Sequence, residues 1–270
     1  MALKKRLGQH FLANRGTALA LVEAFAPAPG DAVVEIGPGG GALTGLLAER
    51  AGRLVALEVD PDLVPALEEL LAPFPGAEVR LADALEVDWD ALAAELGGGP
   101  LRVIGNLPYN VGTAIVRRLL ASDAVRDMQL VLQKEVADRL LAGPGTKAYG
   151  PLSVLAALRC RRRRVRTLPP GAFRPPPRVT SAAVTLEFLA DPPLPAGELP
   201  RLEAWLHAGF GHRRKTLAGN LGPHRERVRA WLEERGFPAD ARAEVLPPAD
   251  WLALARLLGP PPGPGGTADL

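Results

Sequence analysis

EIGPGGGALT, residues 35–44, is the stretch that decides the fold of this 270-residue chain. It joins a strand-like apolar run, AVVEI (32–36), to a helical pattern that follows it. Glycines at such a junction let the backbone turn sharply and approach a ligand at the carboxyl end of the strand. Because strand-like runs and helical patterns alternate from there to residue 141, the sequence predicts an α/β fold in which helices cover both faces of a parallel sheet.

Strands are predicted at 32–36, 54–58, 78–82, 101–105 and 128–133, and helices at roughly 15–26, 42–51, 62–72, 89–96, 112–121 and 134–141. Two later runs, CRRRRV (160–165) and SAAVTLEF (181–188), predict a hairpin at the sheet edge.

A proline-rich segment at 190–200 separates this region from a stretch of helical pattern at 201–258. We therefore expect a larger α/β domain at 1–189 that begins with a basic N-terminal arm. A small α-helical domain at 190–258 and a disordered tail at 259–270 would follow. In the small domain, helical spacing predicts Trp205, Phe210 and Leu217 as core residues.

Composition excludes several classes of protein. Hydrophobic residues are 47% of the chain and charged residues 23%, as in soluble globular proteins. The single cysteine, Cys160, allows no internal disulfide and fits a reducing compartment. The N-terminus, MALKKRLGQHF, does not resemble a signal peptide, and no apolar run reaches the roughly 18 residues of a membrane span. We expect a cytoplasmic protein that makes no contact with membranes, has no metal site and functions as a monomer.

Charge is distributed unevenly along the chain. Residues 31–100 carry 14 acidic and 3 basic side chains, whereas residues 159–178 carry eight arginines and no acid. Lys4, Lys5, Arg6 and Arg15 add a second acid-free segment. The pattern predicts a polyanion on one side of the molecule and a different ligand on the other. Solvated faces of an arginine-rich protein are the alternative.

The glycine turn allows two kinds of ligand. Gly37, Gly39 and Gly41 fit E-x-G-x-G-x-G, which resembles the first motif of Rossmann-like methyltransferases, where the loop holds the methionine part of S-adenosylmethionine. With Ala42 the same letters fit the G-x-G-x-x-A pattern of dinucleotide-binding sites.

Two acidic residues follow at later strand ends. Glu58 ends the second predicted strand, where a carboxylate accepts two ribose hydroxyls of either cofactor. Asp83 ends the third, where an acid in a methyltransferase accepts a hydrogen bond from the adenine amino group of the cofactor. Alternatively, Glu58 faces solvent and Asp83 caps the next helix.

GNLPYN (105–110) follows the fourth predicted strand. Asn and Pro favour turns, so a simple turn is one interpretation. N-x-P-Y also resembles the N/D-P-P-Y motif of enzymes that methylate exocyclic amines of nucleobases. The Asn106 side chain and a backbone carbonyl of the Leu107–Pro108 turn can accept the two amine hydrogens. Pro108 keeps the turn rigid, and Tyr109 offers a stacking face for the base.

Together, KKRLGQHFLAN (4–14), EIGPGGGALT, GNLPYN, FRPPPRVTS (173–181) and FGHRRKTLAGNL (210–221) resemble the bacterial 16S ribosomal RNA adenine dimethyltransferases of the KsgA type. The resemblance covers the chain except its tail. It implies a Rossmann-like class I methyltransferase domain with a small C-terminal α-helical domain. It also implies transfer of four methyl groups from S-adenosylmethionine to two adjacent adenines near the 3′ end of 16S rRNA, in an assembling small subunit.

The resemblance also implies site residues. His10, Leu12, Gly37, Gly39, Glu58, Asp83 and Asn106 would contact the cofactor. Phe173 would stack on the target adenine opposite Tyr109, with a buried core position as the alternative. His10 stands where the family often has Asn and is alternatively a solvated residue of a basic arm. Asn14 is expected to cap a helix.

Two basic runs remain. Arg213, Arg214 and Lys215 in the helical domain are expected to bind the rRNA backbone. In CRRRRVR (160–166), alternate arginines of a strand would face opposite sides, so some would pair with acids and others contact phosphate.

Three other functions stay open on the sequence. They are methylation of large-subunit rRNA, as in macrolide-resistance proteins, a non-catalytic RNA-binding assembly factor, and an NAD-dependent oxidoreductase. The last would have no use for N-x-P-Y or for a basic appendage.

Overall fold

The computed structural model describes residues 10–261. Lys4, Lys5 and Arg6 of the predicted arm and most of the predicted tail lie outside these residues. The described chain forms two compact units, one of residues 10–138 and 161–188 and one of residues 139–160 and 189–261. Residues 139–160 are therefore part of the second unit, although the boundary predicted at 189/190 assigns them to the first domain. The functional domains at 1–189 and 190–258 stay a prediction.

The first unit contains most of the α/β elements. In chain order they are β1 (Phe11–Leu12), α1 (Arg15–Phe25), β2 (Ala32–Ile36), α2 (Thr44–Ala48), β3 (Arg53–Glu58), α3 (Val64–Leu71), β4 (Ala77–Leu81), α4 (Trp89–Glu95), β5 (Leu101–Asn106), α5 (Gly112–Leu120), β6 (Val125–Gln133), α6 (Lys134–Leu141), α7 (Pro151–Arg159), β7 (Cys160–Leu168), β8 (Phe173–Arg174) and β9 (Ser181–Phe188). The last turn of α6 and all of α7 belong to the second unit.

Seven strands form one sheet in the order β4-β3-β2-β5-β6-β9-β7. Its strands β2 to β6 are mutually parallel, and β9 is antiparallel to β6. This confirms the predicted α/β fold. The antiparallel strand beside β6 distinguishes the sheet from the 3-2-1-4-5-6 order of dinucleotide-binding domains. β1 and β8 pair separately and antiparallel to each other.

An arginine near the amino end of β5 links that strand to the end of α1 and to β6 through hydrogen bonds and ion pairs. The Arg102 guanidinium donates to the carbonyls of Phe25 and Ala26 at 2.6 and 2.9 Å and pairs with Asp31 and Asp127 at 2.7 and 3.0 Å. At its other end α1 is capped as expected, since Asn14 Oδ1 accepts from the Thr17 amide at 2.8 Å. Both ends of the helix that follows the N-terminal arm are therefore held in place.

Most predicted bounds agree with the structure within one or two residues. β6 begins at Val125, earlier than the predicted 128. The sequence pattern missed this start because Arg126 and Asp127 are charged, yet this part of β6 pairs with β5, and Asp127 accepts from the Arg102 guanidinium. α2 is shorter than predicted, since residues on both sides of Thr44–Ala48 form turns. The CRRRRV and SAAVTLEF runs are adjacent strands at one end of the sheet, as expected, with β7 at the edge and β9 between β7 and β6.

The second unit is helical, with α8 (Leu199–Phe210), α9 (Leu217–Asn220), α10 (Arg225–Glu234) and α11 (Pro248–Leu258) beside α7. Trp205 and Leu217 are buried, and the Phe210 ring stacks on Trp251 with 5.3 Å between centroids. This confirms the predicted core. The carbonyl of Gly259, in the predicted tail, accepts from the Trp205 indole at 3.0 Å. Between residues 10 and 261 no helix has the length and apolar character needed to cross a membrane.

Candidate active site

A cleft with about 710 Å³ of empty space, open solvent included, lies at the carboxyl ends of the parallel strands in the first unit. Open parallel sheets bind their ligands at this edge. The cleft wall includes most of the residues singled out in the sequence, namely His10, Gly37, Gly39, Glu58, Asp83, Asn106, Pro108 and Tyr109. Predicted residues from five separate stretches of the chain therefore meet at one place.

The glycine turn bends in a way that only glycine adopts easily. Gly37, Gly39 and Gly41 have φ values of 68°, 55° and 79°. A Cβ on Gly39 would lie 2.6 Å from the Phe11 ring, so the N-terminal arm packs directly against the turn. The missing side chain keeps the backbone of the turn accessible from the cleft.

Glu58 is held by three backbone amides. Its Oε2 accepts from Gly39 N at 3.1 Å, and its Oε1 accepts from Val59 N and Asp60 N, both at 2.9 Å. Burial raises the pKa of Glu58 above its ordinary value, while these three amides oppose the rise and the charge of Asp60 adds to it. A carboxylate oxygen has two lone pairs, so Oε2 keeps one free for a further donor such as a ribose hydroxyl. Glu58 therefore does not merely face solvent.

Glu35 lies behind the glycine turn and is only 1% exposed. Burial raises its pKa from 4.5 to about 8, with the nearby Thr44 hydroxyl opposing the rise and the charge of Glu58 adding to it. Neither Glu35 Oε2 nor Thr44 Oγ1 has a partner within hydrogen-bonding geometry in the described chain. Burial therefore favours the protonated form of this carboxyl, which is the acid of the E-x-G-x-G-x-G motif.

Asp83 lies exposed on the rim of the cleft. One carboxylate oxygen accepts from the Leu85 amide at 2.9 Å, which fixes the side chain in a local turn. The cap of the next helix is Asp88, not Asp83, because Asp88 Oδ1 accepts from the amides of residues 90 and 91. The helix-cap interpretation of Asp83 is therefore wrong, and its second oxygen is available for a ligand.

Asn106 has an orientation that its surroundings fix. Its Nδ2 donates to the carbonyl of His10 at 2.8 Å. A carbonyl can only accept, so the amide nitrogen must face His10 and Oδ1 must lie on the opposite side of the planar group. No donor to this oxygen occurs within residues 10–261. Asn106 therefore offers one preoriented acceptor in the cleft.

The turn after β5 supplies a second acceptor. The Pro108 carbonyl accepts from Gly112 N at 2.8 Å at the start of α5, so it is occupied. The Leu107 carbonyl, one residue earlier, receives no hydrogen bond from the described part of the chain. Of the two carbonyls considered from the sequence, Leu107 is the one that can accept from a ligand.

Tyr109 forms the mouth of the cleft. Its hydroxyl and the Ser181 Oγ are 2.6 Å apart, and its ring lies 5.3 Å from the His10 ring. Burial raises the pKa of Tyr109 above its ordinary value, opposed by the Ser181 hydroxyl, so the phenol stays neutral. The hydroxyl end of the Tyr109 ring is therefore held by the hydrogen bond with Ser181.

Leu12 and Phe173 do not line the cleft. They are register partners in the β1–β8 pair, and both side chains are buried in the core, with Phe173 0% exposed. The predicted stacking of Phe173 on a target base is therefore wrong for this conformation, because the ring has no free face. The alternative core position is what the structure has. The Leu12 side chain is likewise buried, and the predicted contact of Leu12 with the cofactor stays a prediction.

The predicted RNA-binding residues Arg213, Arg214 and Lys215 are exposed in the second unit. Arg213 pairs with Glu244 at 3.1 Å. In the other basic run, Arg163 pairs with Glu187 at 3.8 Å and Arg164 with Asp138, so some of its arginines pair with acids as expected, while phosphate contacts by others stay a prediction. No group of three His, Cys, Asp or Glu side chains suited to a metal ion occurs in the described chain.

Sequence reasoning missed Phe11, Glu35 and Ser181 as parts of this site. All three lie in motifs named above, but the roles predicted for those motifs were assigned to neighbouring residues. The signal for Glu35 was its place as an acid within an apolar strand, where burial shifts a carboxyl pKa upward.

The sheet order, the glycine turn and the acceptors after β5 define the class of Rossmann-like methyltransferases. A sequence profile described as "Ribosomal RNA adenine dimethylase" matches residues 1–259. The chain belongs to the ribosomal RNA adenine dimethylase family. It is an rRNA adenine dimethyltransferase, and S-adenosylmethionine is its cofactor.

Two relatives with similar sequences support this family assignment. The ribosomal RNA small subunit methyltransferase A of Variovorax paradoxus is 45% identical over 264 residues, which are 96% of this chain and 98% of the relative. The protein of the same name from Xanthomonas campestris pv. campestris is 44% identical over 255 residues, 94% and 95% of the two chains.

Among structures, the 23S rRNA methyltransferase ErmE is 30% identical with a TM-score of 0.70 and coverage of 91% and 98%. A dimethyladenosine transferase from Plasmodium falciparum shares the fold at 23% identity, with a TM-score of 0.74 and coverage of 91% and 96%. The oxidoreductase alternative is thereby excluded.

Proposed function

We propose that this protein dimethylates the N6 amines of two adjacent adenines in the 3′-terminal hairpin loop of 16S rRNA. Its substrate is a small ribosomal subunit during assembly in the cytoplasm, and it acts as a monomer. The observation that carries the proposal is the pair of unoccupied acceptors after β5, Asn106 Oδ1 and the Leu107 carbonyl, beside the ring of Tyr109. The names and the 44–45% identity of the bacterial relatives support the small subunit as target.

The two acceptors suit an adenine amine. The lone pair of that nitrogen is delocalised into the ring, so it is a poor nucleophile. Acceptors on both hydrogens, Asn106 Oδ1 and the Leu107 carbonyl, hold the amine and favour the pyramidal form in which the lone pair is free. The nitrogen becomes acidic only after it has reacted, so no strong general base is needed. Catalysis then consists of positioning and electrostatic stabilisation.

The cleft fits the cofactor by the chemistry of its donors and acceptors. Glu58 Oε2 would accept a ribose hydroxyl, the free oxygen of Asp83 would accept from the adenine amino group, and the backbone of Gly37 and Gly39 would lie against the methionine part. S-adenosylmethionine supplies an electrophilic methyl group when it is bound. His10 would contribute through its backbone, which already holds Asn106. Arg213, Arg214 and Lys215 would bind rRNA phosphates.

The test is transfer of labelled methyl groups to small subunits that lack this modification, followed by base-resolved mapping. We expect dimethylation of the two adjacent adenines near the 3′ end. Tight binding without transfer would favour the non-catalytic assembly factor. Label in 23S rRNA would favour the large-subunit enzyme.

The role of Asn106 is tested in the same assay. We expect Asn106→Ala to lower kcat by about 10²- to 10³-fold, the usual effect of removing one such transition-state contact, with nearly unchanged affinity for the subunit. Asn110→Ala is the matched control, since Asn110 is exposed in the same motif and does not line the cleft. Equal rates for Asn106→Ala and the wild type would refute the amine-holding role.

A further inference from the structure

The segment Arg174–Thr180 (RPPPRVT), which starts at the last residue of β8 and leads to β9, is attached to the cleft at both ends. We call it the proline loop. Near its start, the Pro175 carbonyl accepts from His10 Nδ1 at 2.9 Å. Directly after its end, the Ser181 hydroxyl is 2.6 Å from the Tyr109 hydroxyl. Because His10 and Tyr109 both line the cleft, the proline loop lies directly beside the cleft.

The proline loop is stiff as well as anchored. Its three consecutive prolines have fixed φ angles, and Pro177 is buried. The Thr180 carbonyl accepts from Lys134 N at 2.9 Å, which fixes the far end to the start of α6. Side chains on such a loop lose little backbone entropy when they bind a ligand, so they are preorganised.

Two exposed arginines, Arg174 and Arg178, flank the prolines, and the loop contains no acid. Neither forms an ion pair within residues 10–261. Among the described residues, the Arg174 guanidinium makes one hydrogen bond, a long one of 3.4 Å to the neighbouring Phe173 carbonyl. In contrast, Arg163 and Arg164 on β7 are paired with acids. Unpaired guanidinium groups on a rigid loop are suited to bidentate phosphate binding.

Charge divides the cleft into two sides. Glu58 and Asp83 make the side that faces β3 and β4 acidic, which suits hydroxyl and amine donors and repels phosphate. The proline loop borders the side with Tyr109 and carries only positive charge. An RNA backbone is therefore favoured along the proline loop and disfavoured on the opposite rim.

We propose that Arg174 and Arg178 bind the phosphates that flank the target adenine and hold the RNA backbone while the base occupies the cleft. The proposal rests on the function proposed above and adds a phosphate site to it. Removal of a base from its stack is unfavourable by a few kcal/mol, and backbone contacts beside the cleft offset part of that cost. No step of the methyl transfer itself requires these two residues.

The first experiment measures equilibrium binding to small subunits that lack the modification, over a range of salt concentrations. Arg174→Gln and Arg178→Gln are combined, and Arg53→Gln is the matched control. Arg53 is exposed at the amino end of β3, on the edge of the sheet opposite the cleft. Two lost phosphate contacts on single-stranded RNA should lower the magnitude of the log–log salt slope by about 1.4. Affinity for S-adenosylmethionine should not change.

A salt slope of the double variant equal to those of the wild type and Arg53→Gln would overturn the proposal, because the two arginines would then be ordinary surface. Binding is measured without turnover, so the slope judges the phosphate site even if the wild type transfers no methyl group. Absence of transfer by the wild type would overturn the proposed function instead. The two failures are therefore distinguishable.

A second experiment tests location. Arg178→Cys places a reactive thiol on the proline loop of a chain whose own cysteine, Cys160, is buried. An RNA-cleaving iron chelate attached at position 178 should cut the nucleotides next to the two target adenines, and the wild type treated in the same way gives the background. Cuts confined to distant parts of the rRNA would contradict a phosphate site beside the cleft.

Discussion

Glu35 should make the stability of this protein fall as pH rises. Burial raises its pKa to about 8 in the folded chain, whereas the unfolded chain has the ordinary value of 4.5. Between these two values the folded state binds one proton more than the unfolded state. The contribution of Glu35 to stability is therefore fully present below pH 4.5 and is lost as pH rises through about 8. Replacement by the isosteric, uncharged Gln in Glu35→Gln removes this dependence.

The size of the effect follows from the two pKa values. One proton of difference corresponds to about 1.4 kcal/mol of unfolding free energy per pH unit. Between pH 5 and pH 8 the wild type should lose about 3–4 kcal/mol that Glu35→Gln does not lose. This is a large part of the 5–15 kcal/mol, roughly, that stabilises a typical domain.

The measurement is urea unfolding of both proteins at pH 5, 6, 7 and 8, followed by circular dichroism. The difference between variant and wild type is the relevant quantity, because other titrating groups cancel in it. Glu69→Gln, at an exposed position of α3, is the control and should give a flat difference. A flat difference for Glu35→Gln as well, with unchanged m-values, would refute the shifted carboxyl.

Two further outcomes are expected. Gly39→Ala should lower the unfolding free energy by about 1–2 kcal/mol in urea unfolding, since φ is +55° and the new Cβ meets Phe11. Gly40→Ala, where a Cβ meets nothing within 4 Å, should change it by much less, and equal losses would contradict the strain. Replacement of Arg213, Arg214 and Lys215 by Gln should lower the magnitude of the salt slope of subunit binding by about 2, and an unchanged slope would make them ordinary surface charges.

The sequence predicts the parts of the fold that hydrophobic pattern controls. AVVEI is β2 without error because both faces of that strand are buried. β1 and β8 escaped prediction because each has two residues, too few for any periodicity, and they exist only because they pair with each other. A helical pattern such as that of α7 cannot state which core the helix packs against.

The residues of the candidate site also divide into those that the sequence could locate and those that it could not. Glu58 and Asn106 could be located from the sequence because the carboxyl ends of parallel strands must meet at one edge. The sequence could not locate Phe173, since an aromatic residue before prolines suits a core position as well as a base-stacking one. The choice of acceptor between Leu107 and Pro108 depended on which carbonyl α5 had already used.

The contacts of His10 have a consequence for the synthesis of the chain. This residue is translated before its partners Asn106 and Pro175, which lie 96 and 165 residues later. Contacts between such distant positions form slowly and late in folding. The wall of the cleft beside His10 is therefore completed only after Pro175 has been translated. A nascent chain that already contains the glycine turn and the motif after β5 still lacks a finished active site.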